Sequence, residues 1–516
     1  MSQKKEQQIT PKVRYRLRAN EKDAVRQNRK ERKSPYRTEF MRDRDRVLYS
    51  AAFRRLSGKA QVFIAGEDEQ KRTRLTHTLE VSQIARSIAE PLKLDVNLVE
   101  AIALGHDLGH TPFGHAGERI LHEIMTNHKN NPLEMSCPLD GEHYREEFKP
   151  YLGFKHNLQG LAVAMGLEKN HEDFGLNLTN YTLYGIQAHS SRTYKPGKVC
   201  NHDELGYYDA FLEAGCRAGA GKWAWSLESL LVAEADEIAQ HHHDVEDAIY
   251  GGLVTPQEVV AIIKKHFGKS ILVGNLSPEE KAMWKNPKNC DLGKFTAMIS
   301  RILVNTLVTR LTASAAAWIN AIGDEMVEIN GVKKKLTAEN VPAYLASRDE
   351  EDETIKAIFS YSYPKVDDGF AARNKAFAGE ICQRVLSSHD IQKNDAKGQY
   401  IIRKIFQAYY HTPQQLPDGC VFEFLTEYHN LREKSGLPWR NLPGNEGYVE
   451  VESEKKLRDR ANREGVGSVR DTFAKLFRNR EDKAVMEELL LMRTICNHIA
   501  SMTDAGARKT YQDFYA

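Results

Sequence analysis

The sequence predicts an all-α protein, a helical core followed by a second helical region, on three observations. Apolar residues recur at i, i+3, i+4 and i+7 through 77–90, 96–110, 156–168, 223–250 and 294–322, the spacing of one helix face. Alternating, strand-like runs are few and short. Pro91, Pro112 and Pro196 and the polar stretch "SSRTYKPGKVCNHDELG" supply the breaks between helical blocks. In chain order, 77–90 carries a stripe of His77, Val81, Ile84, Ala85 and Ile88, and 96–110 is preceded by Asp95, a residue type suited to capping it. The acidic "SRDEEDETIK" reads as an exposed connection or helix start. The expected divisions are an N-terminal arm over 1–45, a core over 46–260 and a helical C-terminal region over 261–516.

Composition narrows the class. With 516 residues, 41% of them hydrophobic and 28% charged, the chain is long enough to bury a large core and ordinary for a globular protein. No uninterrupted apolar run approaches the roughly 18–20 residues that span a bilayer, and the best candidate, "LVTRLTASAAAWINAI", is interrupted by Arg310. No membrane partner is therefore expected. The N-terminal "MSQKKEQQIT" has no apolar segment of a secretory leader. Seven widely spaced cysteines, never in C-x-x-C spacing, argue for a reducing compartment and against a disulfide frame or structural zinc site. A cytoplasmic location is the expectation. Residues 1–46 hold sixteen Lys or Arg against seven Asp or Glu. Such an arm suits contact with nucleic acid, an anionic ligand or an acidic neighbouring subunit, or serves as a solvated leader.

The stretch "GHDLGHTPFGHAGE" packs His106, His110 and His115 into fourteen residues. Three jobs fit: ligands of one ion, an acid/base relay, or hydrogen-bonded core histidines. Of four His-Asp dipeptides, His106-Asp107 alone closes an apolar helix, and both of its side chains can reach an ion beside that helix. His77 heads an apolar stripe and must point inward. Asp236 has Val232, Ala233 and Ala239 as helical neighbours, and a buried carboxylate needs a partner or a metal to offset desolvation. His77, His106, Asp107 and Asp236 give an N₂O₂ set that suits Mn²⁺, Fe²⁺, Co²⁺ or Mg²⁺ better than a closed zinc site. Arg74, three residues before His77, suits phosphate oxygens. Gln240 and Asp244 follow Asp236 along a polar ridge, with His243 alongside. The middle histidines of "QHHHDVED" read equally well as a solvated helix end.

These residues and their surroundings resemble the bacterial deoxyguanosinetriphosphate triphosphohydrolases of the HD phosphohydrolase superfamily. The resemblance is carried by the order His77, His106-Asp107, Asp236 and by "SPYRTEFMRDRDRVLYSAAFRRLSGKAQVF", "TRLTHTLEVSQIARSIA", "GHDLGHTPFGHAGE", "FKHNLQG", "LTNYTLYGIQAHS" and "ICNHIASMTDAGA". It implies an HD-domain helical core with an additional C-terminal helical region that completes the site and carries oligomer contacts. It further implies hydrolysis of a dNTP, with dGTP favoured, to deoxynucleoside and inorganic triphosphate. One divalent ion per site is implied, Mn or Mg first, with Fe, Co or Ni as alternatives. A dNTP effector and a homo-oligomer of four or six chains are the further implied partners, and the basic arm adds single-stranded nucleic acid as a candidate partner. Matched residue by residue, His77, His106, Asp107 and Asp236 correspond to metal ligands. His115 and Glu118 correspond to the catalytic histidine and its acid, and His110 and His156 to further active-site histidines. Gln61 and Val62 correspond to deoxyribose contacts, Arg74 to a phosphate-binding arginine and Asp244 to a carboxylate near the sugar. Gln240 departs from the pattern by standing where relatives usually carry a sugar-stacking tyrosine. Ala162 and Glu204-Leu205 replace basic positions.

His115 lies past the Pro112 break and three residues before Glu118, a spacing that suits a His-carboxylate pair for proton transfer. The leading expectation is therefore a metal-dependent dNTP triphosphohydrolase. The alternatives are a nucleotide- or single-strand-binding regulator of the same fold, motivated by the basic arm, and another HD-type nucleotide phosphohydrolase.

Overall fold

Short polar side chains start the helices. A computed structural model describes residues 12–61, 72–126, 151–168, 175–190, 203–217, 223–288 and, with brief interruptions, 290–434, 451–477 and 485–515. The first helices are α1 (Glu39–Leu48), α2 (Ala51–Arg55), α3 (Arg74–Leu92), α4 (Val96–Gly105), α5 (Gly114–Thr126) and α6 (His156–Ala162). They are followed by α7 (Asn180–Ala188), α8 (Asp209–Gly215), α9 (Leu227–Tyr250), α10 (Pro256–Phe267), α11 (Pro278–Lys285) and α12 (Leu292–Asp324). Thr38, Thr73, Asp95, Thr179, Ser226 and Thr255 each accept a backbone N–H from the first turn that follows, capping α1, α3, α4, α7, α9 and α10. Further helices, among them His389–His411, Asp418–Lys434, Val485–Ser501 and Asp504–Tyr515, complete the chain. Among the described residues the only sheet is a hairpin, Met326–Ile329 against Val332–Lys335, paired antiparallel with Ile329 opposite Val332. The protein is all-α.

Two helical expectations shift at their ends. The 96–110 pattern stops at Gly105, and 106–109 runs on as turns. The 156–168 pattern is α-helical to Ala162 and widens into a π turn over Val163–Leu167.

Apolar faces gather the helices into two clusters. In the first, α9 lies against α3, α7 and α12, while α4 lies against α1 and α3. The second joins Ile120, Leu121, Ile124 and Met125 of α5 to the faces of His389–His411, Asp418–Lys434 and Val485–Ser501. Leu108 belongs to the first cluster and Phe113 to the second. The histidine-rich stretch thus crosses the seam between two cores.

α12 is, among the described residues, the one helix long and apolar enough to cross a membrane, but 61% of its most apolar window is buried inside the protein. Its Arg310 is tied to Asp368 at 2.9 Å and to the Tyr361 carbonyl. Part of the basic N-terminal segment is paired from within. Arg26 pairs with Glu39 at 2.7 Å and Asp43 at 2.5 Å, Arg42 with Glu39 and Glu31, and Arg46 with Glu31. Buried Glu228, in the first turn of α9, accepts the backbone N–H groups of Ala19 and Asp95 and so pins this segment to the α3–α4 turn. Burial, reinforced by nearby Asp95, pushes its carboxyl up to about 7.

Candidate active site

Three helices converge on one point. His77 comes from the first turns of α3, His106 and Asp107 from the end of α4, and Asp236 from the middle of α9. His77 Nε2 lies 2.9 Å from Asp236 Oδ1, and His106 Nε2 lies 3.8 Å from the same oxygen. The donor atoms of these three side chains all fall within 4.8 Å of one another. Asp107 Oδ1 is 3.4 Å from His106 Nε2, so the fourth expected ligand borders the group.

Local chemistry prepares these atoms for a cation. His106 Nδ1 sits 2.7 Å from the Ala103 carbonyl and donates to it, which leaves Nε2 with its lone pair. That Nε2 is buried and has no hydrogen-bond partner. A neutral imidazole so oriented is a ready ligand, and the N₂O₂ set around it fits a divalent ion. Burial works to raise the Asp236 carboxyl, but the hydrogen bond from His77 and the nearby His106 ring hold it below its ordinary range. The same opposition holds Asp107 well below the usual carboxylate range, with His110, His106 and Arg74 overcoming burial. Buried Arg74 donates to Asp107 Oδ2 at 3.1 Å, and its Nε has no partner.

A second group lies beside the first. Gly109 approaches α6 so closely that a Cβ there would stand 2.0 Å from the His156 carbonyl oxygen and 2.1 Å from the Gly160 nitrogen. Only glycine permits this contact, and it sets the His110 and His156 rings 3.9 Å apart. His110 Nδ1 is also 2.8 Å from Asp107 Oδ1, so this histidine links the first group to the second. Phe113 and Gly114 both take positive φ, 61° and 57°, and this turn starts α5. There His115 Nδ1 lies 3.1 Å and His156 Nδ1 2.8 Å from the same Glu118 oxygen. Lys155 Nζ holds the other oxygen at 2.6 Å. Burial would raise the Glu118 carboxyl, but His156, His115 and Lys155 keep it well below its ordinary range. Burial lowers His110 and His156, the former well below the usual imidazole range. His115 alone is open, with 63% of its side chain exposed.

The expected sugar-side residues form a chain. Gln61 Nε2 points to Gln240 Oε1 at 3.4 Å, and Gln240 Nε2 donates to Asp244 Oδ1 at 2.6 Å. Burial, with Asp247 adding repulsion, pushes Asp244 up to about 7. Val62 and His202 lie outside the described residues.

Sequence reasoning missed His189. Its ring lies 5.1 Å from His106 and 5.5 Å from His156, bridging the two groups. Like His106 it closes an apolar helix and bonds the carbonyl three residues back, Ile186, at 2.6 Å. A histidine three residues after Ile186 on the α7 stripe was the available signal. Lys59, whose Nζ donates to the carbonyls of His110 and Ala500, was missed too. Burial, with Arg55 and Arg74 nearby, lowers this amine to about 7. His241, His242 and His243 are all buried, which removes the solvated-helix-end reading of "QHHHDVED".

Comparison with known proteins identifies the family. The HD domain family profile matches residues 74–174, which include His77, His106 and Asp107. The chain is 34% identical over 385 residues to a deoxyguanosinetriphosphate triphosphohydrolase-like protein of Ralstonia pickettii (strain 12J), covering 74% of this chain and 80% of that one. A protein of the same description from Rhizobium leguminosarum bv. trifolii (strain WSM2304) is 32% identical over 390 residues, 74% of this chain and 80% of its own. One from Caulobacter vibrioides (strain ATCC 19089 / CIP 103742 / CB 15) reaches 44% identity over 235 residues, 45% of this chain and 52% of its own. On this identity and coverage, the chain belongs to the deoxyguanosinetriphosphate triphosphohydrolase-like family of HD-domain phosphohydrolases.

Proposed function

We propose that this protein hydrolyses deoxynucleoside triphosphates, dGTP foremost, to the deoxynucleoside and inorganic triphosphate. The observation that carries the reading is one juxtaposition. An ion-binding group of His77, His106 and Asp236 stands beside buried Arg74 on one side and the exposed His115 with its Glu118 on the other. Bound by His77, His106, Asp107 and Asp236, a divalent ion would neutralise charge at the α-phosphate.

The rest falls to the chain. In the reaction a water oxygen bonds to the α-phosphorus, the bond from phosphorus to O5′ breaks, and one proton ends on O5′. Arg74 supplies positive charge for the phosphates through the guanidinium edge left free by Asp107. His115 is the proton-transfer group: Glu118 fixes its Nδ1, which leaves Nε2 to work. His110 and His156, kept neutral by burial, brace Asp107 and Glu118. Gln61, Gln240 and Asp244 line the sugar side. The region 261–516 helps complete the site, a role supported by Asp504, which accepts the backbone N–H groups of Ala60 and Phe113.

The test is product-resolved. Incubation with dGTP and Mn²⁺ or Mg²⁺ should release deoxyguanosine and triphosphate in equal amounts. Release of dGMP and pyrophosphate instead would overturn the reading.

A further inference from the structure

We propose that Glu80, His242 and His243 form a second divalent transition-metal site, distinct from the His77–His106–Asp107–Asp236 group. Glu80 lies one turn beyond His77 on α3, and His243 lies two turns beyond Asp236 on α9. Residues at these spacings share a helix face, so the same two helices build a second convergence below the first. The donor atoms of Glu80, His242 and His243 lie within 4.8 Å of one another.

The pattern exceeds what a hydrogen bond between Glu80 and one histidine requires. His243 Nε2 bonds Glu80 Oε2, and His242 Nε2 lies 3.4 Å from that same oxygen. The two imidazoles touch, their centroids 4.1 Å apart. Two ring nitrogens crowded on one carboxylate oxygen is an arrangement that a shared cation relieves. A carboxylate also lies behind the metal-facing ring: Glu246 Oε1 is 3.8 Å from His242 Nδ1, in ion-pair range and close enough to orient a ligating imidazole after a small shift. Glu246 is held in turn by Ser300 Oγ at 2.5 Å and by Arg72. The Nδ1 atoms of His242 and His243 are otherwise buried without hydrogen-bond partners.

The ligand set names the class of ion. Two imidazoles and one carboxylate suit Zn²⁺, Co²⁺, Ni²⁺ or Mn²⁺ and disfavour Mg²⁺ and Ca²⁺, which prefer oxygen. The Glu80 side chain is 42% exposed, which provides a route of entry and an open coordination position. An ion here would tie α3 to α9, the helices that present His77 and Asp236. The His243 ring already lies 5.3 Å from the ring of His77. The proposed role is a brace for the first site.

Metal stoichiometry tests this without reference to any hydrolytic activity, so its failure and that of the proposed reaction are separable. The full chain is stripped with chelator, dialysed against Zn²⁺ or Co²⁺, and its metal content measured by mass spectrometry. His242→Asn is expected to bind one equivalent fewer than the native chain, and Asp107→Ala to retain the equivalent that Asp107→Ala/His242→Asn loses. Glu246→Gln should weaken that equivalent by about 10- to 100-fold. Melting curves of the stripped proteins check that each variant folds. A merely structural histidine would lower the metal-free Tm and leave the stoichiometry unchanged. Equal metal content in the native chain and a folded His242→Asn overturns the proposal.

Discussion

Gly109 and His156 meet backbone to backbone, at a separation that leaves no room for a methyl group. The contact joins the turn that carries His106, Asp107 and His110 to the helix that carries His156. Gly109→Ala must push α6 away and part the His110 and His156 rings. Overpacking of this kind costs about 1–3 kcal/mol, and the displacement should lower dNTP hydrolysis at least tenfold. Circular dichroism melting and a product assay check both effects, and full activity in the variant would refute the account of the turn.

The group proposed to hold the metal and the histidine proposed to move the proton stand apart in the structure. His115 makes its side-chain contacts with Glu118, His110 and His156 and none with the group formed by His77, His106 and Asp236. His115→Ala should therefore keep its metal and lose turnover by about 10²- to 10⁴-fold. Asp107→Ala should lose turnover together with the metal equivalent held by the His77, His106 and Asp236 group. Parallel metal analysis and kcat measurements decide the matter, and a His115→Ala enzyme turning over normally would remove His115 from the mechanism.

Stability should fall as pH rises through the range where Glu228 ionises. Its carboxyl is raised from about 4.5 to about 7 in the folded chain. Below pH 4.5 the group is protonated in both states and carries no penalty. Between pH 4.5 and 7 the unfolded chain ionises first, so folding loses stability, and the loss is complete above 7. It amounts to about 3 kcal/mol. Glu228→Gln keeps an acceptor for Ala19 and Asp95 but cannot ionise. Denaturant melts at pH 5 and pH 8 should show that the variant lacks this slope; parallel pH curves for both proteins would contradict it.

Gln240 bridges Gln61 and Asp244, in place of the tyrosine usual in the resembling family. Gln240→Tyr should break the bridge and place an aromatic ring at the sugar. The expected result is a change of about tenfold in the kcat/KM ratio of dGTP to GTP. An unchanged ratio would mean that this chain reads the sugar elsewhere.

Much of this was legible in one dimension. The apolar stripes of α3, α9 and α12 and the capping residue Asp95 are local signals, and local signals fix helices. His77 and Asp236 could be picked out because each interrupts an apolar face, and the structure brings them within 2.9 Å. What the sequence hid depends on approach between distant segments. Gly109 looks like a helix interrupter until α6 is seen packed against it. The sharing of Glu118 by His115, His156 and Lys155 needs a turn with two positive-φ residues, and the sequence shows only a proline and a glycine there. For the middle histidines of "QHHHDVED" the sequence left a solvated helix end as likely as a polar ridge, whereas in the fold His242 and His243 are buried against Glu80 of α3. Val62 lies beyond the described residues.

The clamp at Asp504 carries a consequence for truncated chains. Asp504 holds the backbone of Ala60 and Phe113, and Ala500 accepts from Lys59. The turns at Ala60 and Phe113 thus depend on a residue 444 and 391 positions further along the chain. A nascent chain still short of residue 504 has its histidines but not the latch that sets them in register. Cutting the chain before residue 504 should therefore disarm the site without removing one of its histidines, because the side chain that fixes the turns beside them goes with the cut.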